Sequence, residues 1–171
     1  MQQLFLVGYM GSGKSTLGKV LAQNLNCPFI DLDAWIEDQE GVSVAQLFKE
    51  KGELYFRKQE HHHLKKLLED PAPKVVALGG GTPCYYNNME LLQNASNVKT
   101  VYLNASVSFL AKRLLPEKQQ RPLIQHLDSE SALREFIGKH LFERLPFYQK
   151  ASQSLMIEGK TVADLASAVT S

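Results

Sequence analysis

The eight residues Gly8-Tyr9-Met10-Gly11-Ser12-Gly13-Lys14-Ser15 constrain this chain more than any other segment, because they fit G-x-x-x-x-G-K-[ST] at every fixed position. With glycine near 7% of residues in average proteins, a chance match in a chain of this length is about one in a hundred or rarer. The context agrees with the pattern. The apolar run Leu4 to Val7 precedes it, and Lys14 to Leu25 follows with apolar residues at helical spacing, Leu17, Val20, Leu21 and Leu25. Glycines let backbone N–H groups curl around a phosphate without side-chain collision, and the helix that starts near Lys14 aims its positive dipole end at the anion. Gly11, Ser12, Gly13, Lys14, Ser15 and Thr16 are therefore candidate nucleotide-phosphate ligands. Lys14 is expected to reach the β- and γ-phosphate oxygens, and the Ser15 hydroxyl to ligate Mg²⁺. The pattern points to a nucleoside triphosphate; by itself it fits a kinase, an ATPase or a GTPase switch equally.

The remainder alternates strand-like and helix-like segments. Phe29 to Leu32, Lys74 to Leu78, Lys99 to Leu103 and Ser154 to Ile157 read as four more short apolar strands. Ala34 to Leu68, broken near Gly41 and Gly52, and Ser106 to Leu115, Ser129 to Leu145 and Thr161 to Val169 read as helices. Near-continuous apolar strands separated by helices predict an α/β fold, a five-stranded parallel sheet covered on both faces. Pro116 to Gln120 is polar and reads as an exposed loop. At 171 residues the chain is expected to form one domain. A net charge of +1 gives no nucleic-acid footprint, and no apolar run approaches a membrane span. Cys27 and Cys84 are too few for a disulfide framework, and the first residues lack the pattern of a signal peptide, so a reducing cytoplasmic location is expected. A monomer is expected.

Candidate acceptor residues follow from position. Asp31 and Asp33, two apart at the end of the second strand, are expected on one strand face at the carboxyl edge of the sheet, where ligands bind in open α/β folds. One carboxylate could serve Mg²⁺ and the other an acceptor hydroxyl; helix capping is the competing reading. Gly79-Gly80-Gly81 follows the third strand and would bring bare backbone against a ligand. Arg57, Arg121 and Arg144 have no counter-charge that the sequence identifies, which an anionic acceptor would explain. His61-His62-His63 is expected to be a solvated helical face, Trp35 a packing residue, and Glu60, Glu69 and Glu117 surface charges.

Taken together, the blocks Gly8 to Ser15, Phe29 to Asp33, Phe56-Arg57, Gly79-Gly80-Gly81-Thr82-Pro83, Arg121-Pro122-Leu123 and Glu143-Arg144-Leu145-Pro146-Phe147-Tyr148 resemble the shikimate kinases in identity, order and interval over essentially the whole chain. The resemblance implies a P-loop fold of the nucleoside-monophosphate-kinase type, with a lid about 113–125 and a substrate-binding helical segment about 33–61. It implies ATP-dependent phosphorylation of the 3-hydroxyl of shikimate, giving shikimate 3-phosphate and ADP in aromatic amino acid biosynthesis. Under it, Asp33 would bind the reacting hydroxyl and take its proton, and Asp31 would reach Mg²⁺ through water. Arg57 and Arg144 would clamp the shikimate carboxylate, Gly79 to Gly81 would finish the pocket, and Phe48 and Phe56 would wall it. Arg121 would close over the phosphates, Arg113 would stack on adenine, and Gly159-Lys160-Thr161 would form the adenine loop. The sequence departs from the family at Met10, at Leu114, in a slightly longer interval from Arg113 to Arg121, and at Gln149-Lys150-Ala151. A gluconate-type kinase shares the phosphate loop but does not need this aspartate, glycine and arginine set. A guanine-nucleotide switch would carry an N-K-x-D motif, which is absent.

Overall fold

The computed structural model describes residues 2–171. Five strands, β1 (Gln3–Val7), β2 (Phe29–Asp31), β3 (Val75–Ala77), β4 (Val98–Asn104) and β5 (Gln153–Met156), form one parallel sheet in the order β2-β3-β1-β4-β5. Registers such as Leu4 opposite Val75 and Lys99 place β1 between β3 and β4. Every residue of β1 and β3 is buried, which is why these strands read as continuous apolar runs and not as alternating ones. The connections carry α1 (Lys14–Asn24), α2 (Leu32–Glu40), α3 (Val44–Lys51), α4 (Glu53–Glu69), α5 (Asn88–Asn94), α6 (Val107–Leu114), α7 (Glu130–Tyr148) and α8 (Val162–Thr170).

Helix boundaries follow local chemistry. Ser43, Ser106, Ser129 and Thr161 each accept a backbone N–H at an N-terminus, and Gly41 ends α2 in the left-handed conformation. Three boundaries differ from the sequence expectation, and one helix, α5, was not expected. Strand β2 stops at Asp31, so Asp33 lies in the first turn of α2 and the two carboxylates do not share a strand face. Helix α5 is short, its flanks are Asn-rich, and its helical signal reduces to buried Met89 and Leu92. Pro116 to Gln120 is not an open loop but part of a 3-10 helix over Leu115–Gln120. Helix α7 runs through Pro146 to Tyr148, because Pro146 is exposed in its last turn and the Tyr148 ring is fully buried.

Because β1 sits in the middle with β3 on one side and β4 on the other, the chain reverses its direction of growth across β1. The loops after β1 and β3 therefore leave the carboxyl edge of the sheet side by side, at a topological switch point.

Candidate active site

The loop after β1 is held in shape by its glycines. Gly11 and Gly13 are left-handed, at φ 77° and 91°, where a side chain is strained. A Cβ on Gly11 would also come within 2.8 Å of Leu114, which gives that residue of α6 a packing role against the phosphate loop. Gly13 caps α1 without any side-chain hydrogen bond, so no protein oxygen competes for the first amides of the helix. Lys14 folds back across the loop and donates to the carbonyls of Gly8 and Tyr9 at 2.8 and 3.0 Å. Burial of its ammonium, only partly offset by Asp33 and Asp31, lowers its pKa to about 8. A nearby phosphate would restore the charge.

Asp31 has two tasks. Its Oδ1 accepts from the backbone N–H groups of Asp33 and Ala34, capping α2, and its Oδ2 accepts from the Ser15 hydroxyl at 2.7 Å. The capping reading of this segment therefore holds for Asp31. The Ser15–Asp31 pair offers two hard oxygens beside the loop, the donor set that Mg²⁺ prefers. Asp33 turns the other way, and its Oδ1 is buried with no hydrogen-bond partner. Burial, then the charges of Glu60 and Asp31, push its pKa up to about 6 against the pull of Lys14 and Arg57.

The loop after β3 is where the acceptor residues converge. A Cβ on Gly79 would lie 2.8 Å from both Asp33 Oδ1 and Glu60 Oε1; one on Gly80 would lie 2.9 Å from Arg144 Nη1; one on Gly81 would lie 2.5 Å from Arg57 Nη1. These three glycines are needed for space, since none takes a left-handed φ. Arg57 is buried. It donates to Glu60 at 2.7 Å and to Glu53 at 3.2 Å, and its guanidinium lies 4.3 Å from the Tyr85 ring centroid. Phe48 and Phe56 pack on each other at 5.0 Å on another side of that guanidinium, with Phe56 in the core.

Several sequence expectations are corrected here. Arg57 and Arg121 do have counter-charges: Glu60 and Glu53 for the first, Glu117 at 2.6 Å for the second. Among the described residues, no carboxylate lies within salt-bridge distance of Arg144. Glu60 is not a surface charge but fully buried, accepting from Arg57 and from the Thr82 hydroxyl at 2.5 Å. Glu117 is an exposed surface charge, as expected, and also lines the phosphate cleft. Trp35 is 40% exposed and donates to His63, which is itself buried, so neither residue matches its expected setting. Glu60 and Tyr9 are the site residues the sequence reading missed. Glu60 leaves one trace, its position three residues after Arg57 on a single helix face.

A cleft of about 310 Å³ joins these parts, lined by the phosphate loop, Asp31, Asp33, Gly79, Gly80, Arg113, Glu117 and Arg121. A larger depression, about 470 Å³, lies on the surface at Ala34, Glu37, Asp38 and Gly41 to Ser43 and shares no lining residue with this cleft. Arg113 reaches the phosphate loop near Gly13, and Gly159 to Thr161 lies between β5 and α8.

A parallel sheet of this order, with a phosphate loop after its central strand and cationic side chains facing it, defines the P-loop small-molecule kinases. The sequence profile of shikimate kinase matches residues 10–171. The shikimate kinase of Flavobacterium johnsoniae is 43% identical over 162 residues, covering 95% of this chain and 93% of that one. The crystal structure of shikimate kinase from Bacteroides thetaiotaomicron superposes with a TM-score of 0.86 at 42% identity, over 99% of this chain and 94% of that one. Shikimate kinase from Acinetobacter baumannii, solved in complex with shikimate, gives 0.84 at 32% identity, over 99% and 91%. The chain belongs to the shikimate kinase family.

Proposed function

We infer that this chain transfers the γ-phosphoryl group of ATP to the 3-hydroxyl of shikimate, releasing ADP and shikimate 3-phosphate. Within a family-level assignment, the observation that carries the chemistry is Asp33 Oδ1. It is a buried carboxylate oxygen with no partner, set between the phosphate loop and the Gly79 turn. A hydroxyl placed there gains the hydrogen bond that the oxygen lacks.

The roles follow. The amides from Gly11 to Thr16 cradle the phosphates, with Lys14 on the transferring group. Arg144 and Arg57 take the acceptor carboxylate. Arg144 is the stronger candidate, since a carboxylate ligand supplies a counter-charge that no side chain provides, whereas Arg57 already has two. Asp33 accepts the proton as the hydroxyl oxygen attacks the γ-phosphorus and the bond to the ADP oxygen breaks. Ser15 and, through water, Asp31 would hold Mg²⁺, which neutralises phosphate charge when bound. Arg121 would exchange Glu117 for phosphate as the segment about 113–125 closes and excludes water. Arg113 would contact adenine, and Phe48 and Phe56 would wall the acceptor pocket formed by the segment about 33–61 and Gly79 to Gly81. We take the chain to be one domain acting as a monomer, because a single copy supplies every group named. The free thiols of Cys27 and Cys84 fit the cytoplasm. No helix among the described residues is long and apolar enough to cross a membrane.

Coupled ADP release with ATP and Mg²⁺ tests the assignment against shikimate, quinate, gluconate, AMP and no acceptor. Turnover with shikimate alone is expected. Turnover with another acceptor would retain the phosphate loop and overturn the acceptor pocket.

A further inference from the structure

Tyr9 is the second residue of the phosphate loop, yet it does not line the cleft that Met10, Gly11 and Gly13 to Thr16 border. The ring is 1% exposed and meets two residues of α7 that lie one helical turn apart. Its hydroxyl is 3.0 Å from His140 Nδ1, with the rings edge to face at 5.5 Å. The guanidinium of Arg144 lies 5.8 Å from its ring centroid. Residues at i and i+4 share a helix face, so one aromatic ring can hold both. The backbone of the same residue holds a further cation, since the Tyr9 carbonyl accepts from Lys14.

Both groups are neutral near pH 7, so this is a neutral hydrogen bond whose direction follows the imidazole tautomer. Burial pushes the Tyr9 phenol up to about 12, so it keeps its proton. Burial, then the charges of Arg144 and Arg57, pull His140 down to about 4, so its ring is neutral, and with the proton on Nε2 its Nδ1 accepts from the Tyr9 hydroxyl. Phe136 closes a further side of the imidazole at 5.3 Å. The Arg144 head lies between the Tyr9 ring and Gly80, where a Cβ would meet Nη1 at 2.9 Å. Gly80 is in turn tied to α7 by the Tyr148 hydroxyl, which donates to its carbonyl at 2.6 Å. Long arginine side chains lose rotamer freedom when they bind, and a head already held by a ring face loses less.

We propose that Tyr9 and His140 form a brace between the phosphate loop and α7 that positions Arg144 for the carboxylate of the acceptor. Tyr9 is thus a positioning residue for the acceptor site although it lies in the nucleotide motif. The proposal rests on the assignment of Arg144 to the acceptor carboxylate.

The test is steady-state kinetics of Tyr9→Phe, His140→Leu, His140→Asn and Arg144→Ala, with KM measured separately for shikimate and ATP and folding checked by circular dichroism. Losing one hydrogen bond of ordinary strength is expected to raise the shikimate KM about three- to tenfold in Tyr9→Phe and His140→Leu, with the ATP KM moving less than about twofold. The double variant should cost no more than either single one, since both remove the same contact. His140→Asn, which keeps an acceptor near Nδ1, should recover most of the loss. If Arg144→Ala leaves the shikimate KM unchanged, the carboxylate assignment fails and the brace with it. If Arg144→Ala raises it while Tyr9→Phe and His140→Leu do not, or raise both KM values equally, the brace alone is overturned. Should Tyr9→Phe fail to fold, the contrast between His140→Leu and His140→Asn decides the matter in the same way.

Discussion

Replacing Asp33 by Asn should lower activity and raise stability together. The carboxylate sits in a place that disfavours its charge: Oδ1 is buried without a partner, and Glu60 and Asp31 add repulsion that Lys14 and Arg57 do not cancel. Its pKa of about 6 stands above the ordinary aspartate value of 3.8. A raised acid pKa means that the folded state binds more protons than the unfolded one between about pH 4 and 6. Stability therefore falls as pH rises through that window and stays lower above it. A gap of about two units corresponds to about 3 kcal/mol. Since Asp33 as a whole is only half-buried, solvent screening reduces this to about 2 kcal/mol. Asparagine removes the charge at nearly constant shape. At pH 7.5 its melting temperature should exceed wild type by about 4–8 °C, using about 2–4 °C per kcal/mol for a domain of this size. At pH 4, where the wild-type carboxyl is protonated, the difference should vanish. The same variant should lose at least about a hundredfold in kcat, the usual worth of a general base. Calorimetry across pH, alongside the coupled assay, reads both. A melting temperature below wild type at pH 7.5 would refute the electrostatic reasoning; a wild-type kcat would remove Asp33 from the chemistry.

Other outcomes follow from the same geometry. In the wild-type enzyme, kcat/KM for shikimate at saturating ATP should fall below about pH 6 as Asp33 protonates, and kcat/KM for ATP should fall above about pH 8 as Lys14 of the nucleotide-free enzyme loses its proton; flat profiles from pH 5 to 9 would contradict both assignments. Lys14→Ala should keep its circular dichroism spectrum and lose about 10²–10³ in kcat, and near-normal transfer would end the phosphate-loop assignment. Glu60→Gln keeps the Thr82 contact but leaves buried Arg57 with only Glu53. Thermal denaturation should show a loss of about 3 kcal/mol, and a shift under 1 °C would mean that solvent already compensates the pair. Chelating divalent metal should abolish turnover, and added Mg²⁺ should restore it; full activity in excess chelator would exclude the Ser15–Asp31 assignment.

The fold class was legible from residue order alone because it depends on local patterns. Continuous apolar runs such as Leu4 to Val7, helical spacing after Lys14, and glycines where the backbone must turn are all properties of neighbours in sequence. The phosphate loop is the extreme case, since its shape comes from left-handed Gly11 and Gly13 and from the helix that follows directly. Asp31, Asp33 and the glycine triple were legible as candidates for the same reason, each standing at a strand end.

The carboxylate partners of Arg57 and Arg121 stand three or four residues away in sequence, but which of these charges is buried was not legible, because it depends on which distant segments the sheet order brings together. Glu60 reads as one charge on a charged helix until β3 delivers Gly79 and Thr82 against it. Arg57 and Arg121 have carboxylates at helical spacing in their own segments, whereas only the folded chain sets Arg144 against Gly80 and the ring of Tyr9. Tyr9 and His140 are separated by 131 residues, and nothing in either local sequence announces the other. Sequence by itself determined the elements and the phosphate-binding chemistry, since short-range sterics and periodicity decide those. The tertiary structure decided which charges are buried or left open for an acceptor, since desolvation and long-range Coulomb energies depend on distances that only the packed sheet and helices set.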